Sequence, residues 1–485
     1  MTATLDLEPP RAMIRGAARG GVANLAGTAF AGLAGLCVTW LVARALPPAG
    51  AGAFFSATAT FVLGVAVAKL GSQTSMVYWP ARLRAAGDGS AIVRCLRVGL
   101  VPVAVAATAV GATLWLVAGQ LPGVGAEPAY VAQVRALAVF LPAAALADAV
   151  LAATRGFRMM RPTVLLDRVL RPAVQLALLG VVWLTGSAPT LLAALWAAPY
   201  LPVALLAGYA LRRLVPTGSA PSTAFAAAEF WRFAAPRAVA STAQMALQRV
   251  DVLLVAALAG LAPAALYAVA GKFVVVGQMV NQGLSQSVQP RLAERLTVGD
   301  RAGANALYRQ STAWLVLATW PLYLLAIAYA PVYLGLFGPQ YRSGSLIVTV
   351  LAGAMLVASA CGMVDMVLAM GGRTWWNLAN VALALVVMLG FDAVLVPRHG
   401  ALGAAIGLAA AVLANNLVPL AQVRRSLGLH PFGRATLAAA GLALACFGPA
   451  LLLPSSSRFA ATGVGLAAYL FGISRLRTVF TKGGQ

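Results

Sequence analysis

Acidic residues are scarce in this chain of 485 residues, which contains only 12 Asp and Glu. Lys and Arg total 35, only three of them lysines, and charged residues of both signs make up 10% of the sequence. A soluble domain has about a quarter of its residues charged, so a large water-exposed domain is excluded. The two histidines and four cysteines show no metal-ligand spacing, which argues against a Cys or His metal centre.

Apolar residues dominate the remainder of the chain. Hydrophobic residues make up 61% of it, and the mean hydropathy is +0.86. Apolar segments of ~20 residues, the length that crosses ~30 Å of hydrocarbon, recur from Val22 to Ser474. The sequence therefore predicts an all-α polytopic membrane protein. The net charge of +23 does not indicate nucleic-acid binding, because it lies in short loops with no basic patch interleaved with aromatics.

The apolar segments predict about fourteen transmembrane helices. Their predicted spans are 22–43, 52–77, 98–119, 131–153, 163–186, 189–211, 233–258, 262–288, 307–330, 345–369, 375–396, 400–422, 434–453 and 458–474. In polytopic membrane proteins Lys and Arg stay on the cytoplasmic side. Of the 35 basic residues, 25 fall on one side of this arrangement, six lie inside spans, and four fall on the other side. The alternation predicts that both termini are cytoplasmic.

The order of the spans predicts two lobes. The predicted segments are a cytoplasmic leader 1–21, an N-terminal six-helix lobe 22–211, a cytoplasmic linker 212–232, a C-terminal six-helix lobe 233–422, helices thirteen and fourteen at 434–474, and a cytoplasmic tail 475–485. A shift of 212 residues places Leu46 on Leu258 and Phe61 on Phe273. The shift spans an even number of helices, so the lobes form a parallel pseudo-repeat, a transporter architecture with its substrate site at the repeat interface.

Polar side chains occupy helix faces whose contact with lipid would be unfavourable. The predicted eighth helix has Lys272 and several amides on about half of its circumference, and the seventh has a narrower stripe. Unpaired polar groups in hydrocarbon are costly. We therefore predict an aqueous cavity lined by helices one, two, seven and eight, in preference to hydrogen bonds that only hold the bundle together. The predicted substrate-binding residues are Asn24, Lys69, Gln244, Gln248, Arg249, Lys272, Gln278, Gln282 and Gln286.

Depth strengthens the prediction for two of these cations. Arg249 and Lys272 each lie roughly 13–15 Å from the outer surface, near the middle of the membrane. Cations at that depth would form charge-assisted hydrogen bonds with a phosphate. Asp251, at a similar depth, is the candidate for ion coupling, since it can neutralise a neighbouring cation in one state and release it in another.

Other embedded charges receive structural interpretations. Asp167 and Arg171 have the spacing of an i, i+4 ion pair, with Arg168 between them. Asp148 and Asp392 are expected at the membrane interface, together with Arg135 and Asp365. Any of the aspartates remains open as the carrier of a coupling proton.

A set of short motifs resembles one known family. They are Asn24 in a glycine-rich first helix, Ala43-Arg44-Ala45-Leu46 followed by Pro47 and Gly50, Leu70-Gly71, Arg249-Val250-Asp251, and Ala265-Leu266-Tyr267 with Pro290. In their order and spacing they resemble the oligosaccharide (polysaccharide) flippases of the multidrug/oligosaccharidyl-lipid/polysaccharide exporter (MOP) superfamily.

The resemblance implies two six-helix lobes plus a C-terminal helix pair, alternating access, and a cationic central cavity. It implies that a polyprenyl-diphosphate-linked oligosaccharide is turned from the inner to the outer leaflet of the bacterial cytoplasmic membrane. It implies no catalytic residue, no metal site and no cofactor beyond a coupling H⁺ or Na⁺. The expected partners are the lipid-linked glycan, the bilayer, and the glycosyltransferases and polymerase or ligase of the same pathway.

Three alternatives stay open. A lipid II flippase and a multidrug cation antiporter belong to the same superfamily, although an antiporter favours an acidic, aromatic cavity. A membrane glycosyltransferase would need a catalytic carboxylate in a substantial outer loop, where Glu127 is the one acidic residue well placed.

Overall fold

The computed structural model describes residues 10–186, 189–215 and 225–482. Within these ranges the backbone is helical almost throughout and contains no strand. Helices satisfy every backbone N–H and C=O within the segment, which apolar chains in a bilayer require. The prediction of an all-α polytopic membrane protein is therefore confirmed.

The helices of the first half of the chain are α1 Pro10–Ala45, α2 Pro48–Ala68, α3 Ser72–Ala85, α4 Gly89–Val117, α5 Pro128–Ala138, α6 Leu141–Gly156, the π-helix Thr163–Leu170, α7 Arg171–Thr185, α8 Pro189–Ala197 and α9 Tyr200–Leu214. Those of the second half are α10 Ala227–Ala259, α11 Leu261–Ala270, α12 Phe273–Thr297, α13 Arg301–Ala328, α14 Ala330–Phe337, α15 Ser345–Cys361, α16 Val364–Met370, α17 Thr374–His399, α18 Ala401–Leu427, α19 Arg434–Phe447, α20 Pro449–Leu452 and α21 Ser455–Lys482. Short 3₁₀ segments occupy Ala118–Gln120 and Pro339–Gly344.

Among the described residues, ten spans are long and apolar enough to cross a membrane, and twelve when two bent helix pairs are counted as spans. The bent pairs are α5 with α6, at 45°, and α11 with α12, at 42°. The two further predicted spans, 163–186 and 458–474, are not among the twelve. The first is divided between the π-helix Thr163–Leu170 and α7, and the second lies in α21.

Parts of three predicted segments lie outside the described residues: 1–9 of the leader, 216–224 of the linker and 483–485 of the tail. The backbone of α1 is helical from Pro10, well before the predicted first span, and α21 continues to Lys482.

The chain forms two compact units. The first comprises residues up to Leu41, Thr60–Gln120 and Val131–Thr242, and the second comprises Val42–Ala59, Leu121–Tyr130 and the chain from Ala243. The boundary between them falls inside α10. In the first unit, α3, α4, α6 and α9 pack around Met76, Ile92, Leu151 and Phe230. In the second unit, a core around Leu292, Tyr308 and Val367 joins α12, α13 and α16.

Two predicted spans are interrupted beside a lysine. The predicted second helix breaks at Lys69–Gly71 between α2 and α3, where Leu70 has φ 50° and Gly71 has φ 68°. A Cβ on Gly71 would lie 2.4 Å from the backbone nitrogen of Ala238 in α10, so the break depends on close backbone packing. The predicted eighth helix breaks at Gly271–Lys272, between α11 and α12.

The break at Gly71 gives a matched test. We expect Gly71→Ala to lower the melting temperature of the detergent-purified protein more than Gly87→Ala. Both glycines have positive φ, 68° and 74°, but Gly87 has open space where its Cβ would lie. Both variants therefore carry a left-handed strain of about 1 kcal/mol, and only Gly71→Ala adds a backbone clash. Equal melting temperatures would show that the contact with α10 does not constrain the break.

Candidate functional site

Lys69 forms an ion pair inside the first unit. Its Nζ lies 2.9 Å from Oδ2 of Asp148 in α6, and the two side chains are only 14% and 27% exposed. Gln73, the second residue of α3, also donates to the same carboxylate oxygen, at 3.4 Å. The two donors lie on either side of the break between α2 and α3. Lys69, predicted as a substrate-binding cation, thus has a carboxylate partner in this structure, and Asp148 is that partner.

A second group of charges lies on a π-helix. Thr163–Leu170 is wound with the wider π spacing, a local form that is frequent at functional sites. Asp167 in this segment pairs with Arg171 at 2.9 Å and with Arg168 at 3.7 Å. The Asp167–Arg171 pair predicted from i, i+4 spacing is confirmed. Arg171 also donates to the hydroxyl of Tyr200 at 3.4 Å, with its guanidinium 5.0 Å from the ring centre.

The π-helix packs against α1 where Asn24 lies. Arg168 donates from Nη1 to Oγ1 of Thr28 at 2.5 Å, and Thr28 donates in turn to the backbone carbonyl of Asn24 at 2.8 Å. A Cβ on Gly27 would lie 3.0 Å from Cβ of Arg168, so a glycine at this position permits the close approach. Asn24, a predicted substrate-binding residue, is half-buried. The hydroxyl of Thr28 therefore connects its backbone carbonyl to the guanidinium of Arg168.

These residues form one cluster with excess positive charge, which we call the first-unit charge cluster. Arg155 in α6 is half-buried and lies within electrostatic range of Asp148, Asp167 and Arg168. The cluster consists of Lys69, Asp148, Arg155, Asp167, Arg168 and Arg171. The cluster contains four cations and two carboxylates, so it has a net positive charge. An anion bound here would be stabilised by that charge.

In the second unit, α12 presents a row of amides, the glutamine stripe. Gln278, Gln282 and Gln286 follow one another at four-residue intervals, and all three are exposed. Their side chains make no hydrogen bond to any other residue in the described ranges. Gln244 and Gln248 on α10 have the same spacing and are also exposed. These five predicted residues are open to contact, as a substrate-lining role requires.

Lys272 lies where α11 ends and α12 begins, immediately before the helix that carries the glutamine stripe. Its side chain is half-buried, and it takes part in none of the four ion pairs of the described residues. Arg249 of α10 is also half-buried, and the two charges are close enough to repel each other. Lys272 therefore has a neighbouring cation and no carboxylate partner. A phosphate bound beside the two cations would reduce their repulsion.

Asp251 is buried, at 4% exposure, and bound to a tyrosine. Tyr267 of α11 donates to Oδ2 of Asp251 at 2.5 Å, and the backbone N–H of Val252 donates to its Oδ1 at 2.7 Å. The predicted coupling aspartate therefore has two donors, and its charge lies within electrostatic range of Arg249.

A second carboxylate lies within electrostatic range of Asp251. Asp392 of α17 is 0% exposed, and neither carboxylate oxygen has a hydrogen-bond partner within the described part of the chain. A Cβ on Gly407 of α18 would lie 2.1 Å from Oδ1 of Asp392, so the glycine makes room for the carboxyl group. The side chain of Asp392 therefore lies wholly inside the packed helices, while its expected position at the membrane interface stays a prediction.

Neither the ion-pair partner of Asp148 nor the complete burial of Asp392 was predicted from sequence. Asp148 and Asp392 lie close in the chain to helix ends, which favours an interfacial interpretation. An available signal was their occurrence within otherwise apolar helices, where an ionisable residue marks a functional position with a partner. The partner of Asp148 is 79 residues away in sequence, and such a separation leaves no local pattern.

Comparison with solved structures defines the class of fold. No family model and no curated protein matches this sequence. The lipid II flippase MurJ aligns with a TM-score of 0.72 at 10% identity, over 93% of this chain and 98% of MurJ. A multidrug resistance MATE family transporter of the MOP superfamily aligns with a TM-score of 0.67 at 15% identity, over 84% of this chain and 98% of the transporter.

A MOP superfamily transporter from Pyrococcus furiosus, described as having a binding pocket of reverse polarity, gives a TM-score of 0.57 at 15% identity. The alignment covers 85% of this chain and 95% of that one. The chain thus has the fold of the MOP superfamily transporters, as the motifs in its first, second, seventh and eighth predicted helices indicated.

The glutamine stripe can be tested by its access to water. We expect cysteine at Gln282 or Gln286 to react rapidly with a membrane-impermeant, polar thiol reagent in intact cells or inside-out vesicles. Cysteine at Val288, which is buried on the same helix, is the control. Exposed Cys37 and partly exposed Cys446 are first replaced by serine. Protection at all three positions from both sides of the membrane would place the stripe against protein or lipid.

Proposed function

We propose that this protein turns a polyprenyl-diphosphate-linked oligosaccharide, a polysaccharide repeat unit, from the inner to the outer leaflet of the bacterial cytoplasmic membrane. The mechanism is alternating access through a cationic cavity. The observation that carries the proposal is the glutamine stripe extending from Lys272 on α12. Amides and an ammonium on one helix match a ligand that has sugar hydroxyls at one end and phosphates at the other.

The phosphates are recognised by cationic side chains. Lys272 with Arg249 in the second unit, and the excess charge of the first-unit charge cluster, each favour an anion. The diphosphate contacts Lys272 and Arg249, while the sugars exchange hydrogen bonds with water for hydrogen bonds with Gln278, Gln282 and Gln286. Lys69 contributes mainly through its pair with Asp148, which holds its ammonium in place.

The lipid requires an apolar path of its own. In the second unit a cavity of about 460 Å³ is lined by Leu325, Tyr329, Val332 and Phe459, with the hydroxyl of Thr462 bonded to Tyr329 at 2.7 Å. Phe459 and Thr462 belong to α21, so in this cavity the last helix would help to shelter the polyprenyl chain. Burial of its methyl and methylene groups would contribute about 0.8 kcal/mol per CH₂.

Ion coupling is assigned to Asp251 and Asp392. A fully buried carboxylate without a hydrogen-bond donor is stable only when it is protonated or binds a cation. Asp392 meets that description, and Asp251 is close enough for the charge of one to affect the other. Binding of H⁺ or Na⁺ at this pair therefore changes the charge inside the second unit, where Arg249 and Lys272 await the phosphate.

Two other members of the same superfamily remain as alternatives. A lipid II flippase shares the requirement for a cationic, amide-lined path, and MurJ shares this fold. A multidrug cation antiporter shares the fold as well, but the positive charges of Lys272 and Arg249 oppose a cationic substrate. Reconstituted vesicles supplied separately with lipid-linked oligosaccharide, lipid II or a cationic dye distinguish the three.

The role of Lys272 gives the first functional prediction. We expect Lys272→Ala to reduce flipping by roughly tenfold to a hundredfold, the equivalent of one charge-assisted hydrogen bond of about 1.5–3 kcal/mol. Arg135→Ala is the matched control, because Arg135 is exposed and donates to the backbone carbonyl of Trp115. The measurement is the rate of appearance of a fluorescent lipid-linked oligosaccharide in the outer leaflet of proteoliposomes. Wild-type rates for Lys272→Ala at equal protein content would contradict the proposal.

The carboxylate pair gives a second prediction. We expect Asp251→Asn and Asp392→Asn each to abolish the acceleration of flipping by an imposed H⁺ or Na⁺ gradient, since an amide cannot bind or release the coupling ion. Asp300→Asn is the control, because Asp300 is paired with Arg295 outside the spans. Both buried variants keep a slow, gradient-independent flipping rate. Retention of the full gradient response by both would assign coupling to other residues.

A further inference from the structure

One face of α18 changes from apolar to basic along its length. Leu417, Leu420 and Ala421 are followed on the same stripe by Arg424 and Arg425, at intervals of three and four residues. These five side chains form one wall of a groove of about 810 Å³. The basic end is the end of the helix that the distribution of Lys and Arg places at the cytoplasmic surface. This groove takes no part in the function proposed above.

The loop between α18 and α19 forms the other wall of the groove, with His430 and Phe432. The loop is held in place by α13: the backbone N–H of His430 donates to Oδ1 of Asn305 at 3.0 Å, and Arg309 donates from its guanidinium to Nε2 of the His430 ring. Thr436 is buried and donates to the carbonyl of Pro431 at 2.9 Å. The groove is therefore a formed feature of the fold.

Its charge is of one sign. None of the residues that line the groove is acidic. Burial, and then the guanidinium groups of Arg309 and Arg424, lower the pKa of His430. A bound anion would oppose that effect and favour the imidazolium, so its affinity would rise as the pH falls toward the ordinary pKa of histidine. The polar end of the groove is therefore positively charged and is lined by no carboxylate, as expected of an anion-binding site.

Its apolar end requires a hydrocarbon ligand. Phe432 is 47% exposed and Leu417 is 46% exposed, although each faces the groove. From Leu417 to Arg424 the helix rises about 10 Å. The apolar end of the groove therefore lies deeper in the membrane than the basic end, as the acyl chains of a phospholipid lie deeper than its phosphate.

We propose that this groove binds an anionic phospholipid of the cytoplasmic leaflet. The phosphate contacts Arg424, Arg425 and His430, and one acyl chain lies along Leu417 and Leu420 beneath Phe432. A basic cluster beside a membrane helix recognises an anionic headgroup, and here the adjoining loop supplies an aromatic wall for the chain. Neither free phosphate nor a zwitterionic lipid satisfies both ends of the groove.

The test uses the purified full-length protein in a neutral detergent. Phosphatidylglycerol, phosphatidylcholine or glycerol phosphate is added, and the shift in melting temperature and the number of retained lipids by native mass spectrometry are measured. We expect phosphatidylglycerol alone to stabilise the protein and remain bound. Arg424→Gln/Arg425→Gln should weaken its binding by roughly 30-fold, and Phe432→Ala should weaken it while leaving every charge in place.

The matched control is Arg212→Gln/Arg213→Gln, which removes an adjacent arginine pair from the last turn of α9. That variant should bind phosphatidylglycerol as the wild type does. Equal losses in both double variants would assign the effect to surface charge in general, and an unchanged affinity in the Arg424/Arg425 variant would place the lipid elsewhere; either result overturns the proposal. Monodisperse elution of each variant in phosphatidylcholine establishes that it is folded, so a loss of binding is interpretable.

Discussion

A charge inside a bilayer has to be paired, hydrated or neutralised, and this requirement governs the placement of the embedded charges in the protein. Lys69 is paired with Asp148, and Arg171 with Asp167. Asp251 has a tyrosine donor. Lys272 takes part in no ion pair in the described ranges. Asp392 is fully buried, and its carboxylate has no hydrogen bond there. These two residues are therefore candidate positions for a mobile ligand or ion.

Irregular helix geometry accompanies this pairing. Lys69 and Gln73 are four residues apart and both donate to one carboxylate oxygen of Asp148 in α6, on either side of a break in the helix. The break itself is the left-handed turn at Leu70 and Gly71. Arg168, which donates to Thr28 of α1, lies in the π-helix Thr163–Leu170. Irregular backbone thus occurs beside charged groups in both places.

The fold and the exposure of the glutamine stripe were predictable from sequence because they depend on local patterns. Apolar segment length and the sidedness of arginine determine the spans, and four-residue spacing places Gln278, Gln282 and Gln286 on one face. The carboxylate partners were not predictable, because Asp148 meets Lys69 and Asp392 approaches Asp251 through contacts between helices distant in sequence. The breaks beside Lys69 and Lys272 were missed as well. Apolar composition continues through each of them, and the turn at Gly71 is recognisable only from its packing on α10.

The glutamine stripe has a kinetic consequence. Three identical side chains repeated at equal rises along α12 offer a passing hydroxyl group the same interaction at each step. A ligand that moves along such a row exchanges one hydrogen bond for an equivalent one, so its free energy changes little from step to step. No single position would then bind the ligand too tightly to release it. Channels with several equivalent ion sites achieve the same balance between binding and release. A stripe of this kind also has little means of distinguishing one sugar from another, so a protein that relies on it would be permissive toward glycan sequence and strict toward the charged group at the glycan's end.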